Sequence, residues 1–196
     1  MTEVATIDLD HVSPAPPIRR RELLFATAFA SAGVVMAFAT LLGAYLAARN
    51  GAGEAWLEGS KIPLTQANMQ MATMVMAAVT MQWAVYSISR DDRLHTYLAL
   101  GVTLLLGLAF VNQTTFLVKQ SGVVLAEPGG ALFYSVVGVQ TAMVLAGVIY
   151  IALMGFRALA GQFSSRQPDG ISAAAVYWYV CVATYAVVWI AVYVMK

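Results

Sequence analysis

Charge is what this 196-residue chain has least of: 11% of its residues are Asp, Glu, Lys or Arg, whereas 60% are hydrophobic. A soluble domain carries roughly twice that charged fraction. All ten acidic and all eleven basic residues fall in the N-terminal tail, in loops or at the ends of apolar runs. Pumps and proton-coupled transporters place ionisable groups inside the bilayer to mark the ion path, and this chain has none to place there. Cysteine is nearly absent as well. Cys181 stands alone in an apolar run, which excludes an intrachain disulfide and a CxxC metal site. The two histidines, His11 in the tail and His95 at the start of a run, cannot supply four axial haem ligands or a multi-imidazole copper site. The net charge of +1 gives no reason to expect a nucleic-acid partner.

What is present is length of apolar sequence. Leu23 to Ala48, Ile62 to Ser89, Ala131 to Phe156 and Ile171 to Met195 are free of charge, and Leu94 to Val118 is free apart from His95 at its edge. Each exceeds the roughly 20 residues that a spanning helix needs. A helix satisfies its own backbone hydrogen bonds in lipid, and the runs are too long and too continuous for barrel strands. The expected fold is therefore all-α, a polytopic bundle of five transmembrane helices. Residues 1–21 form a separate acidic, Pro-rich tail and 22–196 the membrane domain. The tail lacks the basic character of a signal-peptide n-region, and Arg19-Arg20 before a run of this length is not expected to act as a twin-arginine signal.

Loop charges predict the orientation. Arg19, Arg20, Arg21, Arg90, Arg93, Arg157 and Arg166 lie on one side, and Arg49, Lys61, Lys119 and Lys196 on the other. The richer side is the inner one, so the N-terminus is expected inside and the C-terminus outside a bacterial plasma (inner) membrane. Short connections support a hairpin-linked bundle, with Arg90-Asp91-Asp92-Arg93 and Glu127-Pro128-Gly129-Gly130 as turns.

Polar character within the runs is neutral. Gln66 and Gln70 in the second run, Asn112 and Gln113 with Thr114 and Thr115 in the third, and Gln140-Thr141 in the fourth are candidates for interhelical hydrogen bonds. A solute or lipid-headgroup site is the functional alternative. Gly138, Ala142 and Ala146 recur every fourth position and form a smooth stripe on which a helix could pack closely. Met69, Met71, Met74, Met76 and Met81 scatter around the second helix, which favours gap-filling over copper transport. The aromatic trio Tyr177, Trp178 and Tyr179 suggests an interfacial belt, with Tyr185, Trp189 and Tyr193 facing a helix partner or lipid.

Together these features resemble subunit III of the haem-copper terminal oxidases, in a short five-helix form, from about Leu23 to the C-terminus. The fourth run carries the frame aromatic-aromatic-x-x-T-G-x-H-x-x-H-V-x-x-G. Phe133, Tyr134, Gly138, Val144 and Gly147 match it, while Gln140 and Met143 replace its histidines. In the fifth run Trp178 and Tyr193 fall in place, with Tyr179, Val182 and Tyr185 where the family has His, Asp and Trp. Pro63 precedes Gln66 where the family has Asn, and Gln113 precedes Phe116 where it has Glu, about one residue out of register. Gly33 and Val34 occupy the positions of a Ser and a buried carboxylate eleven residues before Tyr45.

The resemblance implies a non-catalytic subunit with no cofactor of its own, haem and copper lying in the catalytic partner. It implies subunit I, other oxidase subunits and membrane lipids as neighbours. Gly138, Gln140, Ala142, Met143, Ala146, Gly147 and Trp178 are the expected packing or partner-interface residues. The alternatives are a membrane assembly or regulatory factor, or a small-solute or lipid transporter.

Overall fold

The computed structural model describes residues 21–53, 56–57, 62–127, 129–164 and 168–195. Residues 1–20 of the acidic tail, Lys61, Pro128, Arg166 and Lys196 lie outside them. The described residues form five long helices and no strand: α1 (Glu22–Ala52), α2 (Leu64–Ser89), α3 (Arg93–Ser121), α4 (Gly130–Leu159) and α5 (Asp169–Val188), the last continuing as a π-helical segment over Trp189–Val194. All five are long and apolar enough to cross a membrane.

The helices begin and end where local chemistry dictates. The Asp92 carboxylate accepts the backbone N–H of His95, capping α3, and the chain turns into that cap through Asp91 at φ 57°. At its other end α3 stops at Gly122, whose φ of 66° puts it in the left-handed conformation of a helix C-cap. Gly129, at φ 87°, starts α4 beneath the Trp56 indole, where a Cβ would lie 2.7 Å from Cη2. Helix α1 runs past the expected stop at Ala48 to Ala52, and the Arg49 side chain on its last turn reaches across to the segment that follows α5. There Nη1 donates to the carbonyl of Ala191 at 2.8 Å and to that of Met195.

α5 is central. It packs on α1, α2 and α4, while α2 pairs most extensively with α3 and α3 with α4. α1 is the most peripheral, touching α5 and α4; Thr27 and Tyr150 share a hydrogen bond of 3.0 Å across the α1–α4 contact. Every helix is apolar both inward and outward, as lipid requires. Phe29, Met36, Leu105 and Phe156 face out, while Phe38, Met74, Phe110 and Ile151 are buried.

Candidate functional site

The centre of the bundle is built around one wedge and two amides. The indole of Trp178 is fully buried between α3 and α4. Glycine makes room for it on both sides. A Cβ on Gly107 would meet Trp178 Cη2 at 2.9 Å, and one on Gly147 would meet Trp178 Cε3 at 3.0 Å. In lipid, helices gain little from burying apolar surface, so close backbone approach of this kind contributes much of their association. The aromatic trio is consequently not a belt: Trp178 is core, and Tyr177 donates its hydroxyl to the Met143 carbonyl at 3.1 Å. Tyr185 and Tyr193 are likewise buried and do not face lipid.

Gln70 supplies the first amide. Its Nε2 donates to Thr114 Oγ1 at 2.7 Å, and its Oε1 accepts the Tyr185 hydroxyl at 2.8 Å. The same hydroxyl lies 3.2 Å from the Ala67 carbonyl, and Phe110 packs edge-on against the Tyr185 ring. One glutamine thus joins α2, α3 and α5. Gln140 supplies the second: Nε2 donates to the Cys181 carbonyl at 3.0 Å, joining α4 to α5. Cys181 itself is free and buried, its thiol turned toward the Met143 carbonyl.

The remaining amides divide. Gln113 bonds Thr73 on α2 at 3.1 Å. Gln66 and Asn112 form no interhelical hydrogen bond among the described residues; they line an outward-facing groove of about 320 Å³ with Met69, Thr115, Phe116 and Lys119. Two bonds the sequence did not signal, Tyr179 to Gln82 at 2.6 Å and Trp189 to Asn68 at 2.8 Å, add to the α2–α5 seam. Asn68 and Gln82 could have been found as polar residues in apolar runs, but the Gly107 cleft and the reach of Arg49 leave no sequence pattern.

The expected packing set also divides. Gln140, Met143, Gly147 and Trp178 are consumed inside the bundle. Gly138, Ala142 and Ala146 lie on the exposed side of α4, and nothing comes within 4 Å of a Cβ placed on Gly138. The smooth stripe therefore does not pack this chain against itself; Gly107 and Gly147 do that. At one end of the bundle His95 Nδ1 lies 2.6 Å from Asp92 Oδ2, both side chains half exposed. Among the described residues no three His, Cys, Asp or Glu gather where they could hold a metal ion.

A family model described as cytochrome c oxidase subunit III matches residues 22–196. Cytochrome c oxidase subunit 3 of Oncorhynchus mykiss is 29% identical over 144 residues, which is 73% of this chain and 52% of that protein. The protein of the same name from Lemur catta is 29% identical over 133 residues, 67% of this chain and 47% of that one. That of Petromyzon marinus is 27% identical over 126 residues, 64% and 48%. The chain spans about half the length of the curated relatives it matches. With the model match running through all five helices and the wedge and amides between them, the chain belongs to the cytochrome c oxidase subunit III family.

Proposed function

We propose that this chain is a non-catalytic subunit III-like component of a bacterial haem-copper terminal oxidase in aerobic respiratory electron transport, where it stabilises the catalytic subunit. The observation that carries the reading is a family-typical bundle whose five spans contain ionisable acids and bases only near their ends. Such a bundle can pack and hold its shape, but the interior of its spans has no Asp, Glu, Lys or Arg of the kind that marks an ion path through the membrane. Haem and copper belong to the catalytic partner, subunit I.

The exposed Gly138, Ala142 and Ala146 stripe on α4 suits a partner helix, since small side chains let two backbones approach closely. Other oxidase subunits and membrane lipids cover the remaining apolar surface. The excess of Lys and Arg on one set of loops supports a reading in which the N-terminal tail, residues 1–21, lies inside the plasma membrane and the C-terminus outside.

The test is purification from native membranes through a C-terminal tag in mild detergent, with a reduced-minus-oxidised spectrum and subunit mass spectrometry. Haem and a large catalytic oxidase subunit at near one-to-one ratio are expected. A colourless protein running alone in good yield overturns the oxidase reading and leaves the fold intact. Recovery in sub-stoichiometric amounts identifies an assembly factor instead.

A further inference from the structure

Gln140 is 2% exposed, and its Oε1 has no hydrogen-bond partner although its Nε2 is bonded to the Cys181 carbonyl. Turning the amide over does not help, because it would set oxygen against the Cys181 carbonyl oxygen and leave the NH₂ group unbonded. The chain itself thus cannot satisfy both ends of this side chain. An unpaired carbonyl in a dry interior costs the full loss of its hydration, and buried polar groups are almost always paired with protein or with ordered water.

Beside Gln140 lies a chamber of about 10 Å³, bounded also by Gln70, Thr114, Thr141, Tyr185 and Tyr193. That is the size of a single water, which needs roughly 10 to 15 Å³ and two to four polar partners. We infer that the chamber is a binding site for one ordered water molecule, which donates to Gln140 Oε1. Its second proton goes to Tyr185 Oη, which already donates toward Gln70 and Ala67 and keeps a lone pair to accept it. The water joins the Gln70–Thr114–Tyr185 cluster to the Gln140–Cys181 bond, so that α2, α3, α4 and α5 share one hydrogen-bonded network some ten residues in from the start of α4. This site does not depend on the oxidase reading.

Hydroxyl-radical footprinting by X-ray radiolysis in ¹⁸O-labelled water tests it, because a trapped water oxidises the side chains around it even when bulk solvent is excluded. The sample is the protein as purified from native membranes. Like residues are compared: Phe110 and Tyr185 line the chamber, while Phe133 and Tyr45 are equally buried but do not line it. Several-fold more ¹⁸O on Phe110 and Tyr185 than on Phe133 and Tyr45 is expected. Equal labelling within each pair in the unmodified protein overturns the proposal without recourse to any variant. In Gln140→Leu, where the carbonyl is gone, the excess on Phe110 and Tyr185 should collapse to the level of the dry pair; its persistence also overturns the assignment to Gln140.

Discussion

A methyl group on Gly107 would lie 2.9 Å from Cη2 of Trp178 and 2.6 Å from Cγ2 of Val148. Trp178 has little room to retreat, since it is held on its other side by Gly147. Gly107→Ala should destabilise the bundle by about 1 to 3 kcal/mol, the usual consequence of overfilling a packed core. Gly138→Ala meets nothing within 4 Å and should be neutral, or stabilising by up to ~1 kcal/mol from helix propensity. Thermal unfolding in detergent of the isolated chain separates the two; equal losses would contradict the assignment of the close contact to Gly107. In an oxidase complex, Gly138→Leu should instead reduce co-purification of the partner.

Gln70 and Tyr185 are expected to be energetically coupled. Removing either partner strands the other, and hydrogen bonds between membrane helices contribute roughly 0.5 to 2 kcal/mol each. A double-mutant cycle with Gln70→Leu and Tyr185→Phe should return a coupling within that range. Strict additivity of the two losses would show that the 2.8 Å contact carries no net energy.

Val34, half buried in α1, stands where the family resemblance places a carboxylate. Hydrophobic carbodiimides react with carboxyl groups inside the bilayer, and this chain should therefore give no labelled peptide from the interior of any span. Val34→Glu should restore labelling on the peptide containing position 34. Modification of the unaltered protein at a membrane-buried residue would contradict the prediction.

The Asp92 cap gives a defined response to acid. Its carboxylate accepts the His95 backbone N–H and then the His95 ring, which hold its pKa below the ordinary 3.8. A carboxyl group with a lowered folded value stabilises the fold fully above the unfolded value, and that contribution fades as pH falls through the folded one. Unfolding temperature should thus decline below about pH 4 in the unaltered protein, and the part due to the cap should vanish in Asp92→Asn, which caps without titrating. Because both side chains are half exposed, the effect should be small. Identical acid profiles for the two proteins would show that the cap does not contribute.

The five spans were legible because lipid imposes a rule on composition: about 20 residues without charge. Which side of each helix turns inward was not. In a soluble bundle the outward face is polar and betrays the inward one, but here Phe29 is 78% exposed and Phe38 3% exposed on the same helix. Residue type alone cannot tell them apart. The same loss of contrast left Trp178 open to both a belt and a packing reading, and the Gly138 stripe open to both internal packing and a partner interface. Polar residues escaped this limit, since an amide in an apolar run has few reasons to be there. Gln70, Gln113 and Gln140 stood out for that reason, although their partners Tyr185, Thr73 and Cys181 were fixed only by the fold.

Arg49 ties together two helices that are made far apart in time. Its guanidinium belongs to α1, but the carbonyls of Ala191 and Met195 that it engages lie 142 and 146 residues further along the chain. Synthesis runs from α1 toward α5, so the arginine has no such partner until the segment after α5 is in place. A chain stopped short of Ala191 would hold α1 through α4 and most of α5 without this clasp.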